Sequence, residues 1–204
     1  MVRRLHVGCG PHHIREGWIN MDLRSFPGVD AVRDATLPFD DLGPLDLIYS
    51  EHFLEHLSLS GAVRFFENAL TALAVGGKMR ISTPSLEMVL MTHFNLDERN
   101  PMKRINSTLG INRAFHGWGH QFLWSGAMLE QTMLAVGYQE VALCEGGQST
   151  DPLLSGLELR PFRIVDRLPD AWIAEGTKGT SHTRDESFFE MLEAVYNVYI
   201  RNAH

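Results

Sequence analysis

The stretch that most constrains this chain is 5–22, LHVGCGPHHIREGWINMD. Leu5 and Val7 belong to a short apolar strand, Gly8-Cys9-Gly10-Pro11 form a glycine-rich turn, and a second strand over 18–21 carries Asp22 at its tip. Glycines at 8 and 10 allow backbone to approach a ligand closely, and a carboxylate ending the next strand accepts two hydrogen bonds from a ribose diol. The outline is that of a nucleoside site. The alternative on this stretch alone is a tight turn with a solvated Asp.

Beyond Asp22 the chain keeps one rhythm. A third strand over 31–33 leads into Asp34 and Ala35, where a carboxylate and a backbone amide can meet an adenine edge, with Leu37, Pro38 and Phe39 as walls; the alternative is an Asp that caps a turn. LDLIY, 45–49, is the near-continuous apolar run of a central parallel strand buried on both faces. Its carboxyl end delivers Ser50, Glu51 and His52 to the side of the sheet where such folds bind ligands. An amphipathic helix begins at Ser60, with Val63, Phe66, Ala69, Leu70 and Leu73 on one side, and Gly76-Gly77 is expected to end it. A strand over 78–82 stops at Thr83-Pro84. This alternation predicts an α/β fold with a Rossmann-like, doubly wound, mostly parallel sheet in three layers. Only twelve positions separate Gly10 from Asp22, so the first helix is shortened or replaced by a loop.

The ordered series over 4–144 resembles the class I S-adenosylmethionine-dependent methyltransferases, in particular a compact bacterial, type 11-like group whose first strands read GCG and then GWxNxD. The resemblance implies S-adenosyl-L-methionine as cofactor. Gly8, Cys9 and Gly10 would wrap its methionine part, Asp22 with Leu23 would hold the ribose, Asp34 with Ala35 would meet the adenine, and Ser50 and Glu51 would complete the cofactor wall. It also implies methyl transfer to a small polar acceptor, a sugar or metabolite, at oxygen or nitrogen.

Residues 85–124 interrupt the rhythm. Ser85 caps a short helix, 95–112 reads as polar and irregular, and the whole is expected to be an insertion covering the cleft. It ends in AFHGWGHQFLWS, where His116, Trp118 and His120 offer imidazoles and an aromatic face to an acceptor. A similar WGHxF segment occurs in the compact group. If the acceptor must lose a proton, the candidates are His120, His116 and His52, with Trp118, His116 and His52 as acceptor-binding residues. His52 and His56 would share a face on a helix, but HFLEH is not HExxH and shows no third ligand nearby, so no metal is expected. Ser125 caps a helix over 126–136, a strand follows over 138–144, and the turn at 147–149 with Glu158 again resembles the compact group, although Gln148 replaces its usual acid.

The 204 residues are read as a single domain, closing with a loop and helix over 176–204 in which Phe188, Phe189, Leu192, Val195, Tyr196 and Tyr199 turn inward; that helix docks on the sheet or forms a homodimer contact. A net charge of −7 argues against nucleic acid as a partner, because neutralising phosphates takes clustered Lys and Arg. No apolar run long enough to insert in a membrane is present, and Arg3-Arg4 runs directly into a strand, so a cytoplasmic location is expected. Two cysteines, Cys9 and Cys144, provide no disulfide framework. Two other classes share the opening stretch: a non-catalytic cofactor-binding module, and a nicotinamide oxidoreductase, which would want the third glycine of GxGxxG. A metal-dependent hydrolase is the third competitor.

Overall fold

The computed structural model describes residues 2–93 and 98–197. Seven strands form one sheet: β1 (Arg4–Val7), β2 (Ile19–Asp22), β3 (Ala31–Val32), β4 (Leu45–Glu51), β5 (Leu73–Pro84), β6 (Gln139–Cys144) and, beyond a small hairpin of β7 (Ile164–Val165) and β8 (Leu168–Pro169), β9 (Ala171–Thr177). Their order is β3-β2-β1-β4-β5-β9-β6, and every pair from β3 to β5 is parallel while β9 runs antiparallel to both neighbours. The sheet is thus Rossmann-like and mostly parallel. The apolar LDLIY run lies at its centre, as its composition requires. No helix joins β1 to β2; Arg15 N and Asn20 Oδ1, 2.9 Å apart, help to fold a loop there instead.

The two faces of the sheet are built differently, because strand side chains alternate. On one face Leu5, Ile48, Met79, Ile81 and Ala174 meet helices α1 (Leu59–Ala72) and α4 (Gly126–Val136), which supply Phe65, Phe66, Ala69, Leu129 and Met133 to the main core. Ser58 caps α1 by accepting from Gly61 N, and Ser125 caps α4 by accepting from Met128 N. On the other face a row of mostly polar residues crosses in register, Asn20, His6, Tyr49, Arg80 and Glu175. Trp18, Leu154 and Leu157 from loops cover part of it, packing on Leu47 and Tyr49.

Several expectations change in the structure. The amphipathic helix ends at Ala72 rather than at Gly76-Gly77: Leu73 pairs with Leu45, and a Cβ at Gly77 would stand 2.7 Å from the Leu45 carbonyl, so strand pairing claims the residues that helix periodicity assigned to α1. The polar stretch before His116 is helix α3 (Pro101–His116), opened by Asn100, whose side chain accepts from Met102 N and Lys103 N, with Pro101 suited to the first helical position. It packs on α2 (Leu86–His93), with Gly110, the buried residue of α3, against the His93 ring. β9 falls in sequence that carried no strand expectation, and its last two residues take the start of the segment from 176. In the closing helix α5 (Glu186–Leu192) and the turn of π-helix after it, Phe189 is buried and Phe188, Leu192 and Tyr196 pack at the core edge, whereas Val195 is exposed; Tyr199 lies outside the described residues, as do 94–97 of the insertion.

Candidate active site

The carboxyl ends of β1, β2 and β4 open onto a cleft of about 460 Å³. Gly8, Cys9, Gly10, Asp22, Leu23, Asp34, Ala35, Glu51 and His52 all line it, joined by Phe53, Leu57 and Arg160. The turn is pinned by Gly8 N and Cys9 N, which donate to the Met21 carbonyl at 2.9 and 3.3 Å. Gly8 has φ +68°, and a Cβ there would lie 2.5 Å from the Phe53 ring, so both conformation and space demand glycine. Gly10, also at positive φ, would place a Cβ with no protein atom within 4 Å. The space a side chain would fill there is open.

Asp22 completes the turn from below. Its Oδ2 accepts from Gly10 N at 2.9 Å and its Oδ1 from Arg24 N at 3.0 Å, which fixes the carboxylate while each oxygen keeps a further acceptor position. Asp34 Oδ1 accepts from the amide and hydroxyl of Thr36, both at 2.8 Å, so the residue caps a turn and borders the cleft at once. The Ala35 amide makes no hydrogen bond among the described residues. Burial, followed by the neighbouring Asp22 charge, raises the Cys9 thiol to about 11, so it stays protonated and serves packing rather than nucleophilic chemistry.

Other expected residues stand elsewhere. Ser50 is fully buried in β4 and does not border the cleft. Leu37 is exposed and Phe39 is in the core; neither these nor Pro38 borders the cleft, and Phe53 and Leu57 are the apolar side chains there. Glu51 borders the cleft but accepts from Leu159 N at 3.1 Å and Arg160 N at 3.0 Å, tethering the loop that carries Arg160 to the strand end. His116, the last residue of α3, is exposed and borders neither this cleft nor its neighbour.

A second hollow adjoins the first and shares His52, His56, Trp118 and Arg160 with it; Glu55, Val89, Ala114, His120 and Leu123 add to its wall. The ends of 85–124 meet through Leu86 N donating to the Trp124 carbonyl at 3.0 Å, which brings Val89, Ala114 and Trp118 over this hollow. Trp118 has φ +57° between two glycines and is 71% exposed, a conformation that costs a large side chain about 1–3 kcal/mol. His52, also at positive φ, places Nδ1 3.3 Å from Glu55 Oε1, and the segment after it is a turn and one 3₁₀ turn over Leu54–His56, not an α-helix. His52 and His56 therefore do not share a helix face.

Glu55 was not singled out from the sequence, and His56 was weighed only as a helix-face partner of His52. Glu55 is 1% exposed; Oε2 accepts from Thr83 Oγ1 at 3.2 Å, and its backbone carbonyl accepts from Gln121 N at 2.7 Å, which ties the end of the WGH segment to the strand end. As a result the His120 ring lies 5.1 Å from that of His56, and one ligating atom from each of Glu55, His56 and His120 lies within 4.8 Å of the other two. The third group absent beside HFLEH in sequence arrives from the far end of the insertion. The available signal was the repeat of Glu and His at 51–52 and 55–56, which an expected helix misassigned.

Glu158 lies outside both hollows. It grips Arg80 with two oxygens, at 2.6 Å to Nε and 3.0 Å to Nη2, and also accepts from Gly147 N at 2.8 Å. Glu175 takes Nη1, which also donates to the Gln148 carbonyl at 3.0 Å. Where the compact group has an acid, position 148 thus contributes its backbone.

No family model and no curated protein sequence matches the chain. Solved structures do. An S-adenosylmethionine-dependent methyltransferase from Archaeoglobus fulgidus superposes with a TM-score of 0.56 at 15% identity over 87% of this chain and 86% of its own. The methyltransferase SibL does so with 0.54 at 13% over 87% of this chain, which spans only 50% of SibL, and the DhpI–SAH complex with 0.53 at 13% over 88% and 78%. The chain has the fold of the class I S-adenosylmethionine-dependent methyltransferases. Among the described residues no helix is long and apolar enough to cross a membrane.

Proposed function

We propose that the chain is an S-adenosyl-L-methionine-dependent methyltransferase acting on a small polar acceptor, a sugar or metabolite. The observation that carries this reading is the meeting of Gly8, Gly10, Asp22, Asp34 and Ala35 around one cleft at the carboxyl ends of β1, β2 and β4. The residues fit the cofactor on their own chemistry. Asp22 retains acceptor positions for a ribose diol, the Ala35 amide is a donor without a partner among the described residues, and the space beside Gly10 where a side chain would stand is open. When bound, the cofactor supplies an activated sulfonium methyl group.

The protein's part is then to bind, orient and exclude water. The insertion over 85–124 acts as cover, with Trp118 as the acceptor's aromatic wall and His120 and His52 as the proton acceptors, in that order. His120 Nδ1 is 2.8 Å from the Ala114 carbonyl, which only accepts, so Nδ1 carries the hydrogen and Nε2 keeps its lone pair. His116 has no place in this arrangement. A cytoplasmic location, and action as one domain without nucleic-acid partners, complete the reading.

The test is calorimetry with S-adenosylhomocysteine on the wild type, Asp22→Ala and His120→Ala. Asp22→Ala is expected to lose affinity while His120→Ala keeps it and loses turnover against a panel of sugar and metabolite acceptors. Unaltered affinity in Asp22→Ala would refute the ribose assignment. Binding without turnover on any acceptor would favour the non-catalytic module.

A further inference from the structure

The second hollow contains a feature that methyl transfer does not demand. Glu55 is buried, and no Lys or Arg forms an ion pair with it among the described residues; its side-chain neighbours are the Thr83 hydroxyl and the His52 imidazole. A carboxylate withdrawn from water needs a compensating positive charge or a full set of donors. Around it stand the two imidazoles of His56 and His120. His120 holds its Nδ1 hydrogen on the Ala114 carbonyl and thereby fixes Nε2 as a lone-pair donor, the same second-neighbour orientation that metal-binding imidazoles use. His56 is set by its own carbonyl, which accepts from Gln121 Nε2 at 2.6 Å, and by the backbone tie between Glu55 and Gln121.

We infer that Glu55, His56 and His120 form a binding site for one divalent first-row transition ion, of the Zn²⁺, Mn²⁺ or Co²⁺ kind. Two imidazoles and one carboxylate match such ions better than Mg²⁺ or Ca²⁺, which prefer oxygen sets. The ligating atoms lie within 4.8 Å of one another. With bonds of about 2.0–2.2 Å, ligands on a tetrahedral ion stand about 3.4 Å apart, so small side-chain rotations close the set. The Thr83 hydroxyl and His52 steady the carboxylate from behind. Three protein ligands leave further coordination positions turned to the hollow between Trp118 and Arg160. An oxygen ligand from the acceptor suits such a position. Resting on the methyltransferase reading, this favours a hydroxyl-bearing acceptor over an amine, and it passes the proton-accepting role from His120 to His52.

The test uses the full chain, freed of metal with a chelator and titrated with Co²⁺, followed by visible absorption and calorimetry. One ion per chain is expected, and His56→Ala and His120→Ala should each weaken binding by at least about tenfold. His116→Ala, on the same segment but outside the cluster, should titrate like the wild type. Glu55→Gln provides a further removal that keeps side-chain size, and thermal melts report whether each variant folds. Uptake of less than about one ion per ten chains by the wild type would overturn the site. So would equal Co²⁺ affinity in the folded His120→Ala and His116→Ala proteins. S-adenosylhomocysteine affinity, measured in parallel, separates the two ideas: S-adenosylhomocysteine binding without Co²⁺ binding sinks the metal site alone, and Co²⁺ binding without S-adenosylhomocysteine binding supports the site while sinking the methyltransferase reading.

Discussion

Arg80 and Glu55 are both buried charged side chains, one on the loop-covered face of the sheet and one at its carboxyl edge, and their surroundings are opposite. Arg80 is wholly enclosed and meets both oxygens of Glu158, one of Glu175 and the carbonyls of Glu145 and Gln148. Burial works against its charge, but Glu158 and then Glu175 more than offset that and hold its pKa above the ordinary value. Glu55 has one hydroxyl and one imidazole. A buried charge with every donor or acceptor used is architecture, here the post around which 145–158 is wound. A buried charge with capacity to spare, bordering a hollow, is available for chemistry.

The hardest blow to this contrast comes from Arg80→Met. It strands Glu158 and Glu175 beneath the loop, and the expected loss is about 3–5 kcal/mol in denaturant unfolding. A loss below about 1 kcal/mol, the ordinary value of a surface pair, would show that the loop stands without its post.

Asp22→Ala acts on the ligand instead of the scaffold. Removing an acceptor of charge-assisted hydrogen bonds should cost about 1.5–3 kcal/mol of S-adenosylhomocysteine affinity, roughly 10- to 100-fold by calorimetry. Gly8→Ala tests the neighbouring turn. Positive φ and the Phe53 contact should together cost about 1–3 kcal/mol, read as a lower melting temperature with weaker cofactor binding.

On the loop-covered face His6 provides a pH test. Burial first, then the charge of Arg15, lowers its pKa from 6.5 to about 3. The folded chain keeps this imidazole neutral while the unfolded chain protonates it below about pH 6.5. Its contribution is therefore intact above that pH and is lost as pH falls toward 3, by up to about 1.4 kcal/mol per pH unit. Denaturant melts of His6→Gln and wild type at pH 7 and pH 5 should show a shallower decline in the variant.

The smallest expected effect sharpens the comparison most. Glu55→Gln removes a thinly compensated charge while retaining an acceptor for Thr83, and should shift the stability of metal-free protein by no more than about 1 kcal/mol. A loss as large as that of Arg80→Met would place Glu55 among the structural charges.

The cleft at the ends of β1 and β2 was legible because its parts are local. Gly8 and Gly10 follow β1, Asp22 ends β2 and Asp34 follows β3, and strand order alone brings them to one edge. The second hollow was not. His120 and His116 look equivalent in HGWGH, yet the left-handed turn at Trp118 and the backbone bond from Gln121 to Glu55 send one into the hollow and leave the other at the surface. α3 was missed because its apolar residues, Met102, Ile105 and Leu109 among them, lie exposed amid polar ones, and the residue buried in it is Gly110, against the His93 ring. β9 was missed because an antiparallel strand slipped between β5 and β6 carries no connecting helix to announce it.

By itself the sequence determined the alternation of strands and helices, the buried centre at β4, and the glycines and carboxylates that line the first cleft. These depend on local conformation and side-chain period, which the chain carries wherever it folds. Tertiary structure decided which carboxylate answers Arg80, which histidine reaches Glu55, and that a loop rather than a helix covers part of the polar row. Those outcomes depend on residues far apart in sequence meeting across the sheet and around the insertion, and only closure of the fold brings them within hydrogen-bonding distance.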